Sequence, residues 1–387
     1  MQRSGHTAQR SFSDSGLPAK RSVLIALSGG IDSTAAALML LEQGYELVGC
    51  TFTTRYTSPA SVEAARSVAA RLGIEHHIID YSQRFEDTII QYFIGEYQAG
   101  RTPNPCVLCN REIKFGALVE EADRLGCALI ATGHYARISS LPAEGGLSAQ
   151  RSVSDSGLPA SAVGKSVACA KDLSKDQSYF LWQIDPGVLD RVLFPLGDYT
   201  KLQVREYLAS KGFELLSKQG ESQDICFIKD DYRAFLRERL GEDYKEYMSF
   251  TIGQRKGLGV ALGYPAFVTG IGSRGVECRG VGVEHPLVPG VFLGHHNDLY
   301  TDTVTLRDVI FRGDPSAPVM AKIRYRSPAV AAVLQRSGLS AEGGLSAQRS
   351  ASDSGRLSFT QPIWAATPGQ SCVFYQNDLV VGGGIIC

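Results

Sequence analysis

The chain has 387 residues, 44% of them hydrophobic and 20% charged. That balance excludes a disordered chain, a collagen or a coiled-coil rod, and the length predicts two or three domains with real cores. The 39 Lys and Arg nearly cancel the 40 Asp and Glu, for a net charge of −1, so any nucleic-acid surface must be a local patch.

The first twenty residues lack an apolar stretch of the kind found in secretory signals. They carry one copy of a near-repeat. Ala8–Ala19 reads AQRSFSDSGLPA, Ala149–Ala160 reads AQRSVSDSGLPA, and Ala347–Gly355 reads AQRSASDSG. These stretches are rich in Ser, Gly and Ala and bury too little to offset their ordering entropy. They predict a flexible segment at 1–21 and flexible insertions at 140–166 and 335–358, with no catalytic role.

Between the insertions the pattern is regular. Val23–Leu27 reads as a buried parallel strand ending at Ser28-Gly29-Gly30, and Thr34–Leu41 as a helix. Leu47–Phe52 is a second strand. Ser58 and Pro59 supply an N-cap and first-turn proline for a helix over Ala60–Leu72. A strand at Ile74–Asp80, a helix at Phe85–Tyr97, a loop from Gly100 to Cys109, a helix at Arg111–Leu125 and a strand at Ala128–Thr132 follow. Strands alternating with helices predict an α/β doubly wound parallel sheet. Thr200 and Gln203 form a capping box for a helix over Thr200–Ser210. After Phe250 glycines and short apolar runs predict a β-rich C-terminal barrel. No apolar run, Ala35–Leu41 included, is long enough to span a bilayer. The predicted domains are 22–228, a central linker domain at 229–293, and a barrel domain at 294–387.

Two constellations carry chemistry. Ser28-Gly29-Gly30-Ile31-Asp32-Ser33 lies between strand and helix. Its glycines turn the backbone tightly, its hydroxyls add donors, and the helix N-terminus adds partial positive charge, which together make an anion cradle. It has neither the ending of a Walker A loop nor the spacing of a dinucleotide-binding loop. The second constellation is Cys106-Val107-Leu108-Cys109, joined by Cys226. Cys109 is placed just before the predicted helix from Asn110, where a thiolate is favoured. The chain's nine cysteines are too sparse for a disulfide scaffold, which leaves redox, metal or nucleophilic roles.

The cradle in this context closely resembles the PP-loop of the ATP pyrophosphatases. Together, ALSGGIDS, NPCVLCNREIKFG, ATGHYAR, KDLSKDQSYFLW, ESQDICFI, TIGQRKGLG and TPGQSCVFYQNDLVVGGGII resemble, in order, the MnmA/TrmU family of tRNA-specific 2-thiouridylases. That resemblance implies a cytoplasmic, ATP-dependent sulfurtransferase that replaces the C2 oxygen of a tRNA wobble uridine (position 34). It implies ATP contacts at Ala26, Leu27, Ser28, Gly29, Gly30, Ile31, Asp32, Ser33, Phe52 and Gly133, with Mg²⁺ near Asp32. Cys226 is implied as the persulfide carrier and Cys109 as the second, nucleophilic cysteine. The target base and tRNA are implied to meet Asn104, Pro105, Cys106, Lys175, Asp176, Gln177, Arg324 and Tyr325. Gln254, Arg255 and Lys256 add charge in a glycine-rich loop, and His134 is either a core residue or a ligand contact.

Many family members have an acid where this chain has Cys106. The exchange yields three thiols, and sulfur then travels either through a persulfide or through an iron–sulfur cluster on Cys106, Cys109 and Cys226. The implied partners are a tRNA and an upstream sulfur-relay or cysteine desulfurase protein, with no DNA and no membrane. Two other classes stay open: another PP-loop synthetase, which would not need the cysteines, and a non-catalytic RNA-binding protein.

Overall fold

The computed structural model describes residues 22–140, 164–218, 225–228, 231–259, 263–272, 285–288, 290–337 and 354–387. The first two near-repeat copies and most of the third lie outside them, as do residues 221–224 of the ESQDICFI motif.

Apolar runs of β-branched residues form a five-stranded parallel sheet. Its strands are β1 (Ser22–Ala26), β2 (Glu46–Thr53), β3 (Glu75–Asp80), β4 (Leu129–Ala131) and β7 (Val192–Leu193), in the order β3-β2-β1-β4-β7. The sequence did not announce β7, which is two residues long. Helix α1 (Ile31–Glu42) follows β1, and α2 (Pro59–Leu72) follows β2. The Ser58 side chain caps α2 by accepting from the Ser61 N–H, and Gly73 ends it in the left-handed region at φ +67°. The chain winds outward through β2 and β3, then returns to place β4 on the other side of β1. The reversal opens a crevice at the carboxyl ends of β1 and β4, where open α/β sheets bind ligands.

Two longer helical stretches cover residues 82–98 (α3) and 105–125 (α4). Each contains a π-helical segment, Glu86–Ile90 in α3 and Asn110–Ala117 in α4. The start of α4 corrects the expected loop from Gly100 to Cys109. Pro105 occupies its first turn, where a missing N–H costs nothing and the fixed φ suits the helix. The Cys106–Cys109 pair therefore lies on the helix, not ahead of it.

The C-terminal part forms the expected barrel. Strands β11 (Tyr300–Phe311), β14 (Ser354–Trp364), β13 (Val330–Ser337), β12 (Val319–Lys322), β15 (Ser371–Gln376) and β16 (Leu379–Ile386) pair antiparallel in that order, and β11–β16 pairing closes the ring. Residues 335–337 and 354–358, read from sequence as insertion, are ladder residues of β13 and β14. A smaller sheet, β8 (Phe267–Ile271), β10 (Val291–Gly294) and β9 (His285–Val288), precedes the barrel.

A hairpin of β5 (Arg137–Ser140) and β6 (Lys165–Ala168) leaves the parallel sheet and extends the barrel sheet through β16. Residues 141–163 join its two strands. One hydrophobic core spans the junction: Leu24 and Ile130 of the parallel sheet share a cluster with Tyr179, Trp182, Val373 and Ile385. Trp182 is fully buried and its indole N–H donates to Ser371 Oγ (3.1 Å). Gly383 makes room for it, since a Cβ there would meet the Trp182 ring at 2.8 Å.

Candidate active site

The Ser28–Ser33 loop sits at the mouth of the crevice. Gly29 has φ +73°, and a Cβ on it would lie 2.6 Å from the Ala65 nitrogen of α2. Glycine is required there on both counts. Gly133, at the end of β4, has the same close fit: its Cβ would lie 2.7 Å from the Asp32 carbonyl carbon and the Ser33 nitrogen. The carboxyl ends of β1 and β4 are thus in contact around the cradle. Ser28 Oγ and Ser33 Oγ are 3.1 Å apart, and the Gly30 N–H points to Ser28 Oγ (3.4 Å). Leu27 and Ile31 pack together at the base of the cradle, Ala26 packs on the opposite core cluster, and the Leu27 N–H donates to the Cys50 carbonyl (2.7 Å). Phe52 ends β2 edge-on to Tyr81, with ring centroids 4.8 Å apart.

Asp32 has partners that sequence reading missed. The Lys201 ammonium donates to both of its carboxylate oxygens (2.7 and 2.9 Å), and the Tyr135 hydroxyl donates to one (2.9 Å). Lys201 is 8% exposed and belongs to the first turn of α5 (Lys201–Ser210). The capping box at Thr200 and Gln203 was visible in the sequence, but nothing there said that the helix start would turn toward a loop 169 residues earlier.

The helix that carries Cys106 and Cys109 packs against the end of the cradle strand β4. Phe115 of α4 packs on His134, with ring centroids 5.7 Å apart, and His134 directly follows Gly133. Cys109 packs in the cluster that holds Ile225 and Phe227, the neighbours of Cys226. Lys114 lies within electrostatic reach of Cys106, Cys109, Cys226 and His134. Burial pushes the Cys109 thiol up to about 12, and Lys114 opposes the shift. Cys106 and Cys226 are also raised by surrounding protein, again opposed by Lys114. Position inside α4 thus removes the helix-start argument for a Cys109 thiolate; burial dominates instead. Cys226 is the exposed member of the three. All three are free, and among the described residues no three His, Cys, Asp or Glu side chains come together as a metal site. The residues as placed do not fit a preassembled iron–sulfur cluster.

His134 is buried, with its Nδ1 2.8 Å from the Thr132 hydroxyl, and burial holds it neutral, its pKa well below the usual range. It is a core residue that also walls the site.

The residues expected to meet tRNA divide into two groups. Asn104, Pro105 and Cys106 open α4 beside the site, with Pro105 buried and Asn104 and Cys106 partly open. Lys175 is partly open in the loop beyond, and Tyr325 packs on Phe180 with ring centroids 4.5 Å apart. Asp176, Gln177 and Arg324 are held by hydrogen bonds within the fold. Asp176 is 6% exposed, and its carboxylate accepts from the Ala170 and Ser178 N–H groups and the Ser178 hydroxyl (2.9, 3.2 and 2.7 Å). Gln177 Oε1 accepts from the Tyr135 N–H (2.9 Å). Arg324 donates to the Ile252 and Ala365 carbonyls (3.1 and 2.9 Å) and to the Thr367 hydroxyl, tying the segment before β8 to the barrel. In the glycine-rich loop Gln254 bonds back to Lys256, while Arg255 and Lys256 are exposed.

Comparison with known proteins agrees with this layout. Residues 21–230 match the model of a tRNA methyl transferase HUP domain, and residues 310–386 match that of an aminomethyltransferase β-barrel domain. A tRNA-specific 2-thiouridylase MnmA 3 of Bacteroides fragilis is 41% identical over 392 residues, covering 95% of this chain and 94% of its own. The tRNA-specific 2-thiouridylase MnmA of Carboxydothermus hydrogenoformans is 37% identical, over 95% of this chain and 98% of its own. With a glycine-rich cradle, Cys109 packed beside the neighbours of Cys226, and this likeness over nearly the whole length, the chain belongs to the MnmA family of tRNA-specific 2-thiouridylases.

Proposed function

We propose that the protein transfers sulfur to C2 of the wobble uridine of tRNA, using ATP to expel the oxygen. The observation that supports the reading is that α4, which carries Cys109, packs through Phe115 on His134, the neighbour of cradle residue Gly133, while Lys114 lies within electrostatic reach of His134, Cys109 and Cys226. A pyrophosphate cradle without sulfur chemistry would not need the cysteines there.

ATP enters as substrate with its Mg²⁺. The cradle's backbone N–H groups and Ser28 and Ser33 hydroxyls receive the phosphates, and the start of α1 adds favourable charge. The adenine lies toward Phe52, at the carboxyl end of β2. Lys201, already held beside the cradle by Asp32, supplies positive charge where pyrophosphate forms. The uridine must be extruded from the anticodon loop to reach this depth. Asn104, Pro105 and Cys106 flank its place, and Tyr325 offers an aromatic face.

The C2 oxygen attacks the α-phosphorus, and pyrophosphate leaves. Oxygen is thereby converted to a departing AMP. Exposed Cys226 receives sulfur from a donor protein, a sulfur-relay factor or a cysteine desulfurase, as a persulfide. Its terminal sulfur attacks C2 and AMP departs. The Cys109 thiol, giving up its proton to solvent as it reacts, then attacks the Cys226 sulfur, breaking the sulfur–sulfur bond to leave the thione on the base and a Cys109–Cys226 disulfide. One sulfane sulfur gains two electrons and two thiols lose them, so an external thiol must regenerate the enzyme. The setting is the cytoplasm, where tRNA and reducing thiols meet.

The test is thiolated nucleoside in tRNA after incubation with ATP and a sulfur source. Wild type forms it; Cys226→Ser and Cys109→Ser do not. Full activity in Cys226→Ser would overturn the sulfur route. Cys106→Asp retains activity if Cys106 only flanks the base, whereas its complete loss would return the three-thiol cluster to favour.

A further inference from the structure

The π-helical segment of α4 places one cation where neither the cradle nor the cysteines account for it. In a regular α-helix the residue stacked over Cys109 would be Ile113. In the stretch Asn110–Ala117 the hydrogen-bonding interval widens to five residues, which brings exposed Lys114 onto the turn after Cys109 beside Ile113, whose buried side chain packs in the same cluster as Cys109. Gly116 allows the wider turn: a Cβ on it would lie 3.0 Å from the Arg111 carbonyl oxygen, five residues back. The neighbouring side chains pack the segment on two sides. Phe115 packs on His134 beside the nucleotide cradle, and Cys109 packs with the residues flanking Cys226.

The carboxylates along α4 are already engaged. Glu112 is paired with Arg111 (2.6 Å), Glu120 with Arg84 (2.7 Å) and Glu121 with Arg124 (2.6 Å). Among the described residues Lys114 has no carboxylate partner, and its side chain is exposed and within electrostatic reach of the three thiols. An exposed cation with no acidic partner among the described residues, set near groups that react as anions, becomes useful when sulfur is ionised.

We propose that Lys114 is a positioning residue for sulfur transfer: the π-helical turn holds its ammonium near the Cys109–Cys226 pair, where it steadies sulfur as an anion between the carrier cysteine and the activated base. The proposal rests on the sulfur-transfer reading above. Persulfide sulfur, the thiolate of Cys109 and the phosphate of departing AMP are all anions at this place, and Lys114 is the charge that serves them in turn.

The test compares Lys114→Gln and Lys114→Arg with wild type, using the full chain. The first readout is the rate at which iodoacetamide alkylates Cys226 at fixed neutral pH, which requires no tRNA. Removing a nearby cation should slow it about threefold to tenfold in Lys114→Gln, and Lys114→Arg should restore it. The second is single-turnover sulfur transfer to tRNA from persulfide-loaded enzyme, which should fall at least roughly tenfold with Gln and recover with Arg. Thermal unfolding of all three should coincide, because the side chain is exposed. Unchanged alkylation and transfer in Lys114→Gln would overturn the proposal, as would an Arg variant no better than Gln. Failure of wild type to thiolate tRNA would instead overturn the functional reading, and the alkylation rates would still judge Lys114.

Discussion

Gly133→Ala tests how tightly the two strand ends are fitted around the cradle. The added Cβ would lie 2.7 Å from the Asp32 carbonyl carbon and the Ser33 nitrogen, short of ordinary contact at 3.4 Å by about 0.7 Å. Both obstacles are backbone, so no side chain can swing aside. The cradle must move away from β4 by most of that amount, or β4 must bend. Overpacking of this kind costs about 1–3 kcal/mol of stability. The kinetic effect should be larger than the thermodynamic one. A displacement near 1 Å of a reacting group costs on the order of a hundredfold in rate, so pyrophosphate release with tRNA and ATP should fall roughly thirtyfold to a hundredfold. Gly126→Ala is the matched control. It has φ +70° and open space around the new Cβ, so it carries backbone strain of about 1–2 kcal/mol and no push on the cradle. Pyrophosphate release and thermal unfolding, measured together on both variants, separate the two effects. Gly133→Ala that turns over ATP within twofold of wild type would refute the reasoning, as would a loss of rate equal to that of Gly126→Ala.

Other outcomes follow from the same geometry. Lys201→Met leaves Asp32 without its main partner at an anion site, and the KM for ATP should rise about tenfold or more; an unchanged KM would remove Lys201 from the site. Asp176→Asn weakens three buried hydrogen bonds and should cost about 1–3 kcal/mol in chemical unfolding, with tRNA affinity of the folded enzyme unchanged. Arg324→Ala should lower stability by a similar amount, yet leave the salt dependence of tRNA binding as it was; a slope reduced by about one would make it a phosphate contact. Burial holds the Cys109 thiol protonated up to about 12, whereas an unfolded thiol ionises near 8.5. The unfolded state then binds fewer protons than the folded one in that interval, so this group's stabilisation is complete below about pH 8.5 and lost as pH rises toward 12. Cys109→Ser should flatten that part of the stability profile.

The parallel sheet and the barrel were legible because their strands are short apolar runs punctuated by turn residues. The cradle was legible because its glycines and hydroxyls are contiguous. What stayed hidden depends on distance along the chain or on a single dihedral preference. Pro105 reads equally as loop or first helical turn, and taking it as loop moved Cys109 from the helix body to its edge. The β5–β6 hairpin is interrupted by residues 141–163, so its two strands do not read as neighbours, and its ladder pairing with the barrel sheet is a single register pair, Ala168 with Leu379. Lys201 and Asp32 meet only because α5 packs on α1. Asp176 and Arg324 look like surface charges in the sequence. Their partners are backbone groups, which carry no residue-specific signal. The π-helical interval that brings Lys114 onto the turn after Cys109 has no period the sequence displays.

The most direct measurement is a single turnover of persulfide-loaded enzyme with ATP and unmodified tRNA, followed by mass analysis of both partners. The account predicts one sulfur on C2 of the wobble uridine, one AMP and one pyrophosphate, and a Cys109–Cys226 disulfide formed in equal amount. Thiolated tRNA appearing while Cys109 and Cys226 both remain reduced, or without ATP, would contradict it.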